Sequence, residues 1–442
     1  MLGRLASSFD PARVPLMSRA NYVRELRYTL LFSTVLAIVE GGVIGVIARN
    51  AFDGVVPRTP LNFVVGLMMA APEFANISSF LWTALAHGKH KVRFINRLQL
   101  ATIVLTLLIA AVPRSELGLY AMGALVVAAR VCIGGVVTLR ASIWRANYTR
   151  MHRARATGKF STVSVLVIAA CGLFIGKAMD LWDQSFRVLI PMCAIAGALA
   201  AASYARVRVR GHGQLLAAEL ADPAARPSFN PLAMLKVLRA DRAYDAFMTS
   251  LFLIGTGNLM LSAPLVITLK ERFGVEYLGG IAVINTIPSL VVPWFIPVWA
   301  RLLARVHVVR FRSIHSWVFV LAQIMVLLAV VTRTFWLLYL SSALLGVAYG
   351  GGTLAWNLGH LDFAPGPRAA LYMGVHVTLN GVRGLIAPLL AVSIYEWLES
   401  RGEGQGAWVF AFSIVLCVAG AMGFVVLSRV MGERARTAPR ET

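Results

Sequence analysis

Long apolar runs alternate with short polar connections along the whole chain. About twelve of these runs approach the ~20 residues that a helix needs to cross roughly 30 Å of hydrocarbon. Because lipid offers no hydrogen-bond partner to a free backbone group, apolar runs of this length must be helical. The pattern predicts spans at residues 26–48, 61–85, 98–113, 117–140, 161–181, 187–205, 244–268, 277–300, 313–332, 335–358, 369–395 and 407–430.

A polar stretch separates the sixth predicted span from the seventh. It divides the chain into an N-terminal six-helix bundle at 1–205, a basic linker at 206–240 and a C-terminal six-helix bundle at 241–442. Two groups of six spans are typical of transporters built from repeated halves. The predicted fold class is therefore an all-α membrane protein with about twelve transmembrane helices in two six-helix bundles.

The composition agrees with a membrane protein. Hydrophobic residues make up 58% of the chain and charged residues 14%, whereas soluble domains carry about 25% charged residues. The formal net charge of +22 would suggest nucleic-acid binding in a soluble protein. Here the Lys and Arg residues lie in alternate loops, so we expect no nucleic-acid partner. By the positive-inside rule, these loops place both termini and the linker in the cytoplasm.

Signals for an enzyme, a metal site or a cofactor are missing from the sequence. The four cysteines lie inside apolar runs, without the spacing of a metal site or a disulfide framework. No phosphate-binding loop, dinucleotide-binding glycine pattern or H-E-x-x-H zinc motif occurs. The first long apolar run begins near Tyr28, after a polar basic segment, which predicts a retained first helix rather than a cleaved signal peptide.

Local motifs add a family resemblance. Arg130 in the fourth span is followed by Gly134-Gly135, and a basic run at 150–158 leads into the fifth span. These motifs and the six-plus-six layout resemble the major facilitator superfamily over essentially the whole chain. The loop at 86–93 keeps the glycine and basic residues of that family but has Leu85 where an aspartate is usual. The resemblance implies two helical halves that rock about a central substrate site.

Three ionisable residues inside the first-half spans are functional candidates, because a charge at bilayer depth costs several kcal/mol. Glu40, which precedes a pair of glycines, and Glu73 are candidates for proton coupling, since tuned buried carboxylates can exchange protons at neutral pH. Arg130 is a candidate substrate-binding residue, and the resemblance implies Glu40 or Glu73 as its resting partner. The alternative for all three is an interhelical ion pair or hydrogen bond.

The eleventh span carries a polar stripe. His376, Asn380 and Arg383 are spaced i, i+4, i+7 and so share one helical face. An arginine beside an amide can hold a carboxylate or a phosphate through paired donors, so the three are candidate substrate-binding residues. The alternative is an interhelical polar network without ligand. Asn258 and Asn285, lone amides in the seventh and eighth spans, are candidates for substrate contact or for interhelical hydrogen bonds.

Four residues near the span ends are candidates for gating. Trp356 and Asn357 lie near the cytoplasmic end of the tenth span, where the tryptophan is equally suited to anchoring at the membrane interface. Lys177 and Asp180, near the outer end of the fifth span, are spaced i, i+3. That spacing predicts an ion pair between them and an outer gate.

The leading hypothesis is secondary active transport of a small solute, favouring an organic or phosphorylated anion, with protons as a coupling partner. The rival within transport is efflux of cationic or amphipathic compounds, with Glu40 and Glu73 binding the cation. The rival from another class is a membrane sensor or assembly partner with a transporter-like fold. The Arg-rich, Ala-rich composition favours a bacterial gene, so we expect a monomer in a bacterial inner membrane, with no cofactor, no metal and no enzymatic activity.

Overall fold

The computed structural model describes residues 9–221, 231–364 and 369–437, and no strand occurs within these ranges. Eleven helices in this part are long and apolar enough to cross a membrane, and a bent pair counted as one span gives twelve. The spans are α1 (Leu16–Ala51), α2 (Arg58–Ile77 with Ser79–Ala86), α3 (Lys91–Ala110), α4 (Glu116–Asn147), α5 (Arg150–Leu181), α6 (Phe186–Ala205), α7 (Arg242–Phe273), α8 (Tyr277–Leu303), α9 (Val308–Thr332), α10 (Trp336–Leu358), α11 (Ala369–Glu399) and α12 (Val409–Thr437). Two shorter helices, His212–Ala221 and Pro231–Ala240, lie between α6 and α7.

Each predicted span overlaps one of these helices, so the all-helical membrane fold is confirmed. Several helices extend beyond the apolar run because polar caps satisfy their first N–H groups. The Asp241 side chain, for example, accepts from the N–H of Tyr244 at the start of α7. One boundary differs from its prediction in a way that affects a charged residue. Helix α9 begins at Val308 rather than at residue 313. The predicted start at residue 313, which would leave Arg312 in the preceding loop, is therefore wrong, since Arg312 lies within the first two turns of α9.

Three spans are interrupted near the middle of the molecule. In α1 the helix stops at Ile38 and resumes at Gly41, leaving Glu40 with extended backbone angles. A Cβ on Gly41 would lie 3.4 Å from the backbone carbonyl oxygen of Met68, an ordinary contact distance, so the break packs directly against α2. In α2 the bend of 45° falls after Ile77, and α8 contains a π-helical turn at residues 282–286. Such interruptions frequently mark functional sites.

The helices pack as two groups. In the first group α1 packs on α6 and α5, and α4 packs on α3 and α2. In the second group α7 packs on α12 and α11, while α10 packs on α8 and α9. The most extensive contacts between the groups join α2 to α11 and α5 to α8. A central space is therefore bounded by helices from both groups.

The two ends of the bundle differ. We call the end that carries the two linker helices the linker end, and the end that carries the α1–α2, α7–α8 and α11–α12 connections the distal end. At the distal end the apolar core of the first group continues into Val266, Tyr277 and Ile281 of the second group. The distal end is thus closed by apolar packing between the groups.

Candidate functional site

Two adjoining cavities lie between the helix groups. The arginine pocket, about 380 Å³, is lined by Arg312 and Arg383 from the second group and by Glu73 from the first. The glutamate pocket, about 390 Å³, is lined by Glu40 and Glu73. Glu73, Asn258, Leu259, Tyr349 and Thr353 line both pockets.

A hydrogen-bonded chain crosses from one helix group to the other at Glu73. Its Oε2 accepts from Nδ2 of Asn76 at 3.1 Å and from Nδ2 of Asn380. Asn380 Oδ1 in turn accepts from Nη2 of Arg383, whose Nη1 donates to the carbonyl oxygen of Leu251 at 2.7 Å. The carboxylate and the guanidinium are therefore linked through one amide. The helical spacing in α11 predicted that Asn380 and Arg383 would share a face, and both line the arginine pocket.

Two glycines make room for this chain. A Cβ added at Gly255 in α7 would lie 1.9 Å from Nη1 of Arg383, and one added at Gly384 would lie 2.2 Å from Cβ of Glu73. No real Cβ tolerates such distances, so a side chain at either position would displace its neighbour. Gly255 also lines the arginine pocket. Close helix approach at these glycines therefore determines where the charged groups lie.

Arg312 is the site residue that sequence reasoning missed. Its side chain is 4% exposed, its Nε has no hydrogen-bond partner, and no carboxylate pairs with it in the part of the chain that the structure describes. Phe319, seven residues further along α9, lines the same pocket. That i, i+7 spacing is the signal that would have placed Arg312 on an inward face. The predicted apolar run begins one residue later, so hydropathy alone places Arg312 in the preceding loop.

His376 lies next to the arginine pocket but does not line it. It is 1% exposed, and neither ring nitrogen has a hydrogen-bond partner among the described residues. Its ring meets the edge of Trp356, with centroids 5.5 Å apart, and Trp356 lines the arginine pocket. The structure therefore places the histidine beside a pocket residue rather than among the pocket-lining side chains.

Arg130 pairs with Glu40. The distance from Arg130 Nη1 to Glu40 Oε2 is 3.4 Å, and the side chains are 11% and 31% exposed. This contact is the resting partnership that the family resemblance implied. Glu40 lines the glutamate pocket but Arg130 lines neither pocket.

The two lone amides both reach the central space. Asn258 lines both pockets, and its buried Oδ1 has no partner among the described residues. Asn285 lies in the π-helical turn of α8 and lines the glutamate pocket. Its Nδ2 is likewise buried without a described partner. An acceptor on Asn258 and a donor on Asn285 therefore lie beside the glutamate pocket without a partner among the described residues.

The expected ion pair between Lys177 and Asp180 is wrong. Asp180 Oδ1 instead accepts from the backbone N–H groups of Tyr277 at 3.1 Å and Leu278 at 3.3 Å. The exposed ammonium of Lys177 has no carboxylate within ion-pair distance among the described residues. Asp180 binds the start of α8 because the first N–H groups of a helix have no partner within the helix. The side chain of Asn357 lies outside the described residues.

A polar cluster closes the distal end. Glu271 of α7 accepts from Arg49 Nη2 at 2.7 Å, from Arg58 Nη2 at 2.8 Å and from Tyr395 at 2.8 Å. Arg49 and Arg58 belong to the first helix group, so this one carboxylate holds the two groups together. We call Glu271 with Arg49, Arg58 and Tyr395 the distal lock. None of these residues is among the candidates predicted from the sequence.

Comparisons with known proteins agree with this architecture. The sequence matches the Major Facilitator Superfamily over residues 30–388. No curated protein matches it significantly. A D-xylose–proton symporter superposes with a TM-score of 0.69 at 13% identity, covering 92% of this chain and 96% of the symporter.

Two further solved structures have the same fold. A POT family transporter in complex with 5-aminolevulinic acid has a TM-score of 0.69 at 14% identity, over 93% of this chain and 96% of that one. The nucleoside transporter NupG has a TM-score of 0.67 at 12% identity, over 92% and 98%. At such identities the likeness shows the fold alone.

Proposed function

Because this chain belongs to the Major Facilitator Superfamily, we propose that it is a secondary active transporter that carries a small organic or phosphorylated anion by alternating access. The substrate lies between the two helix groups, in the arginine pocket and the adjoining glutamate pocket. Neither a cofactor nor a metal takes part in this proposal.

The observation that supports an anion is the charge of the arginine pocket. Arg312 and Arg383 both line it, and Glu73 is the single carboxylate among its described lining residues. A guanidinium never deprotonates in a protein and offers paired donors to carboxylate or phosphate. Two positive charges against one negative charge leave the pocket one anion short of neutrality.

Glu73 supplies the coupling in this proposal. It reaches Arg383 through Asn380. An anion that engages Arg383 and Asn380 withdraws one hydrogen-bond donor from Glu73 and leaves it only Asn76, which disfavours the charged carboxylate. Uptake of a proton by Glu73 removes that cost, so substrate and proton bind together. Glu40, paired with Arg130, is the second proton-carrying candidate.

The orientation follows from the positive-inside rule. The basic loops lie at the linker end, so we place that end in the cytoplasm. The Arg-rich, Ala-rich composition favours a bacterial inner membrane. Among the described residues, the ion pairs between the helix groups lie at the distal end, in the distal lock and its neighbour Glu399. This arrangement is the one expected of a transporter closed to the outside, with its site reached from the cytoplasm.

A thermal-shift screen of the purified protein against metabolite classes tests the proposal. A ligand at ~100 times its Kd should stabilise the folded state by about 2.7 kcal/mol. Organic or phosphorylated anions should raise the Tm of the wild type and leave that of Arg383→Ala unchanged. Arg305→Ala, which removes an exposed arginine at the linker end, is the matched control and should respond like the wild type. Active anions are then tested for proton-driven uptake into proteoliposomes.

The rival candidate, efflux of cationic compounds, draws on the two carboxylates of the glutamate pocket. If only cations or amphiphiles raise the Tm, and Arg383→Ala responds as the wild type does, the anion proposal is overturned in favour of efflux. Glu73→Gln and Glu40→Gln would then be expected to abolish the response.

A further inference from the structure

A third cavity, remote from the substrate site, lies at the linker end of the first helix group. This basic pocket, about 700 Å³, lies between the start of α3, the end of α6 and the first turns of α1. Its lining contains six basic side chains and no acidic one: Arg24, Arg93, Arg206, Arg208, His90 and His212.

The walls of the basic pocket are held by specific hydrogen bonds. The backbone of Arg208 is fixed on both sides by Asn21, whose Nδ2 donates to the carbonyl oxygen at 2.7 Å and whose Oδ1 accepts from the N–H at 3.0 Å. Arg24 Nη1 donates to the carbonyl oxygen of Arg206 at 2.7 Å. Across the pocket the rings of His90 and His212 lie 4.2 Å apart. The chain after α6 is therefore anchored on α1, and the pocket is preformed.

The positive charge of the basic pocket is not neutralised from within the described chain. None of its four arginines has a carboxylate within ion-pair distance among the described residues. Glu219, the one carboxylate among the described linker residues, is already held by Lys91 Nζ at 2.7 Å and by the N–H of Gly88 at 2.8 Å. Burial, then the charges of His212 and Arg93, lower the pKa of His90. The geometry therefore gathers positive charge without a described counterion, which suits the binding of an anion.

The surroundings of the pocket are those of a lipid-exposed surface. On α3, Leu100 and Val104 are 48% and 54% exposed. On α6, Ile195 and Leu199 are 65% and 59% exposed. Leu100 lies one turn, about 6 Å, along α3 from the pocket residue Asn96. Apolar strips on two adjacent helices thus run from the basic pocket toward the middle of the membrane.

We propose that the basic pocket binds the phosphate headgroup of an anionic phospholipid, with its acyl chains along the exposed apolar strips of α3 and α6. The arginines supply charge-assisted hydrogen bonds to the phosphate oxygens, and the strips bury the hydrocarbon. A free phosphate would use the arginines but would gain nothing from the strips. The proposal is independent of the transported substrate, because none of the residues that line this pocket lines the central ones.

The test uses the full chain in detergent, with short-chain phosphatidylglycerol, short-chain phosphatidylcholine and inorganic phosphate as separate probes. Binding is measured by native mass spectrometry and by the shift in Tm. The test variant is Arg93→Gln with Arg206→Gln and Arg208→Gln. Its matched control removes three basic residues at the linker end of the second helix group: Arg301→Gln, Arg305→Gln and Arg310→Gln.

The wild type and the control should bind phosphatidylglycerol, and the pocket variant should bind it about 100-fold more weakly. Each arginine beside an anionic lipid contributes roughly a factor of five, which gives about 100-fold for three. Equal binding of inorganic phosphate would overturn the lipid assignment in favour of a free anion. Equal binding of phosphatidylcholine, or an equal loss in the control, would overturn the site itself. If the triple variant does not fold, Arg93→Gln alone should weaken binding about fivefold, and an unchanged affinity would again refute the proposal.

Discussion

A guanidinium buried without a counterion is costly, and Arg312 is such a group in the arginine pocket. It is 4% exposed and has no described carboxylate partner. Arg383, in the same pocket, differs because its Nη1 and Nη2 are both hydrogen-bonded within the protein. A structural charge is normally paired inside the bundle. At the residue scale, Arg312 is therefore the stronger indication that the pocket is built for a ligand.

Replacing Arg312 by Met should stabilise the ligand-free protein and abolish its response to anions. The apolar replacement removes an uncompensated buried charge and is expected to raise the free energy of unfolding by about 1–3 kcal/mol. Thermal denaturation with and without the active anion measures both effects, with Arg305→Met as the exposed control. A less stable variant that keeps the anion response would show that Arg312 has a structural role.

Substituting Gly255 by Ala should displace Arg383 without changing any charge. The new Cβ would lie 1.9 Å from Arg383 Nη1, so the guanidinium must leave its bond to the Leu251 carbonyl oxygen. We expect substrate affinity to fall by about tenfold or more, consistent with loss of a charge-assisted hydrogen bond. Gly158→Ala is the control, because a Cβ there meets nothing within 4 Å. Uptake kinetics in proteoliposomes would count against this placement if both variants behaved alike.

At the scale of elements, two of the candidate side chains lie where helices are interrupted. Glu40 occupies the break in α1, and Asn285 lies in the π-helical turn of α8. A separate short helix, His212–Ala221, lies at the linker end and is held in place by one carboxylate. Glu219 on this helix binds Lys91 and the N–H of Gly88. That contact joins the linker to the loop between α2 and α3.

Glu219→Gln should release this linker helix. Burial opposes ionisation of Glu219, but the hydrogen bonds from Lys91 and Gly88 outweigh it and lower the pKa of the carboxyl group. Docking is therefore complete above the ordinary glutamate pKa of about 4.3 and is lost as the pH falls through the lowered value. Hydrogen–deuterium exchange at residues 212–221 should rise in the variant at neutral pH. Glu403→Gln, an exposed carboxylate without described contacts, should leave exchange unchanged, and equal protection in both variants would refute the docking role.

At the scale of the whole molecule, the distal lock joins the two helix groups at the distal end. Arg49 in this lock is 3% exposed and pairs at 2.7 Å both with Glu271 of the other helix group and with Asp53 of its own. Asn62 and Thr59 add hydrogen bonds from α2 to Glu396 of α11. A state open at the distal end must break all of these contacts between the groups, because α2 and α11 belong to different helix groups.

Glu271→Gln should shift the population toward a state open at the distal end. Glu271→Gln weakens the charge-assisted hydrogen bonds that join the helix groups, each of which contributes about 1.5–3 kcal/mol, and every 1.4 kcal/mol changes a conformational equilibrium tenfold. Electron-electron distance measurements between labels at Val55→Cys and Glu403→Cys, in a cysteine-free background, should show longer distances in the variant. Glu116→Gln, whose described contact is with Tyr120 on the same helix, is the control. Identical distance distributions in the wild type and Glu271→Gln would contradict the role of the lock.

The sequence by itself determined the membrane fold and part of the site. Lipid forces every long apolar run to be a helix, so hydropathy alone located the spans. The helical period alone placed Asn380 and Arg383 on one face. The domain boundaries at 205 and 240, and the gating roles of Trp356 and Asn357, stay predictions.

Only the tertiary structure decided which partner each charge finds. Asp180 accepts hydrogen bonds from N–H groups of α8 instead of pairing with Lys177. Arg312 lines the arginine pocket instead of lying in a loop. Glu271 gained a role because residues 213 and 222 positions away in the chain meet it at the distal end. Hydropathy reports the transfer free energy of one segment into lipid. The partner of a buried charge depends on neighbouring helices that are distant in sequence, and local patterns do not contain that information.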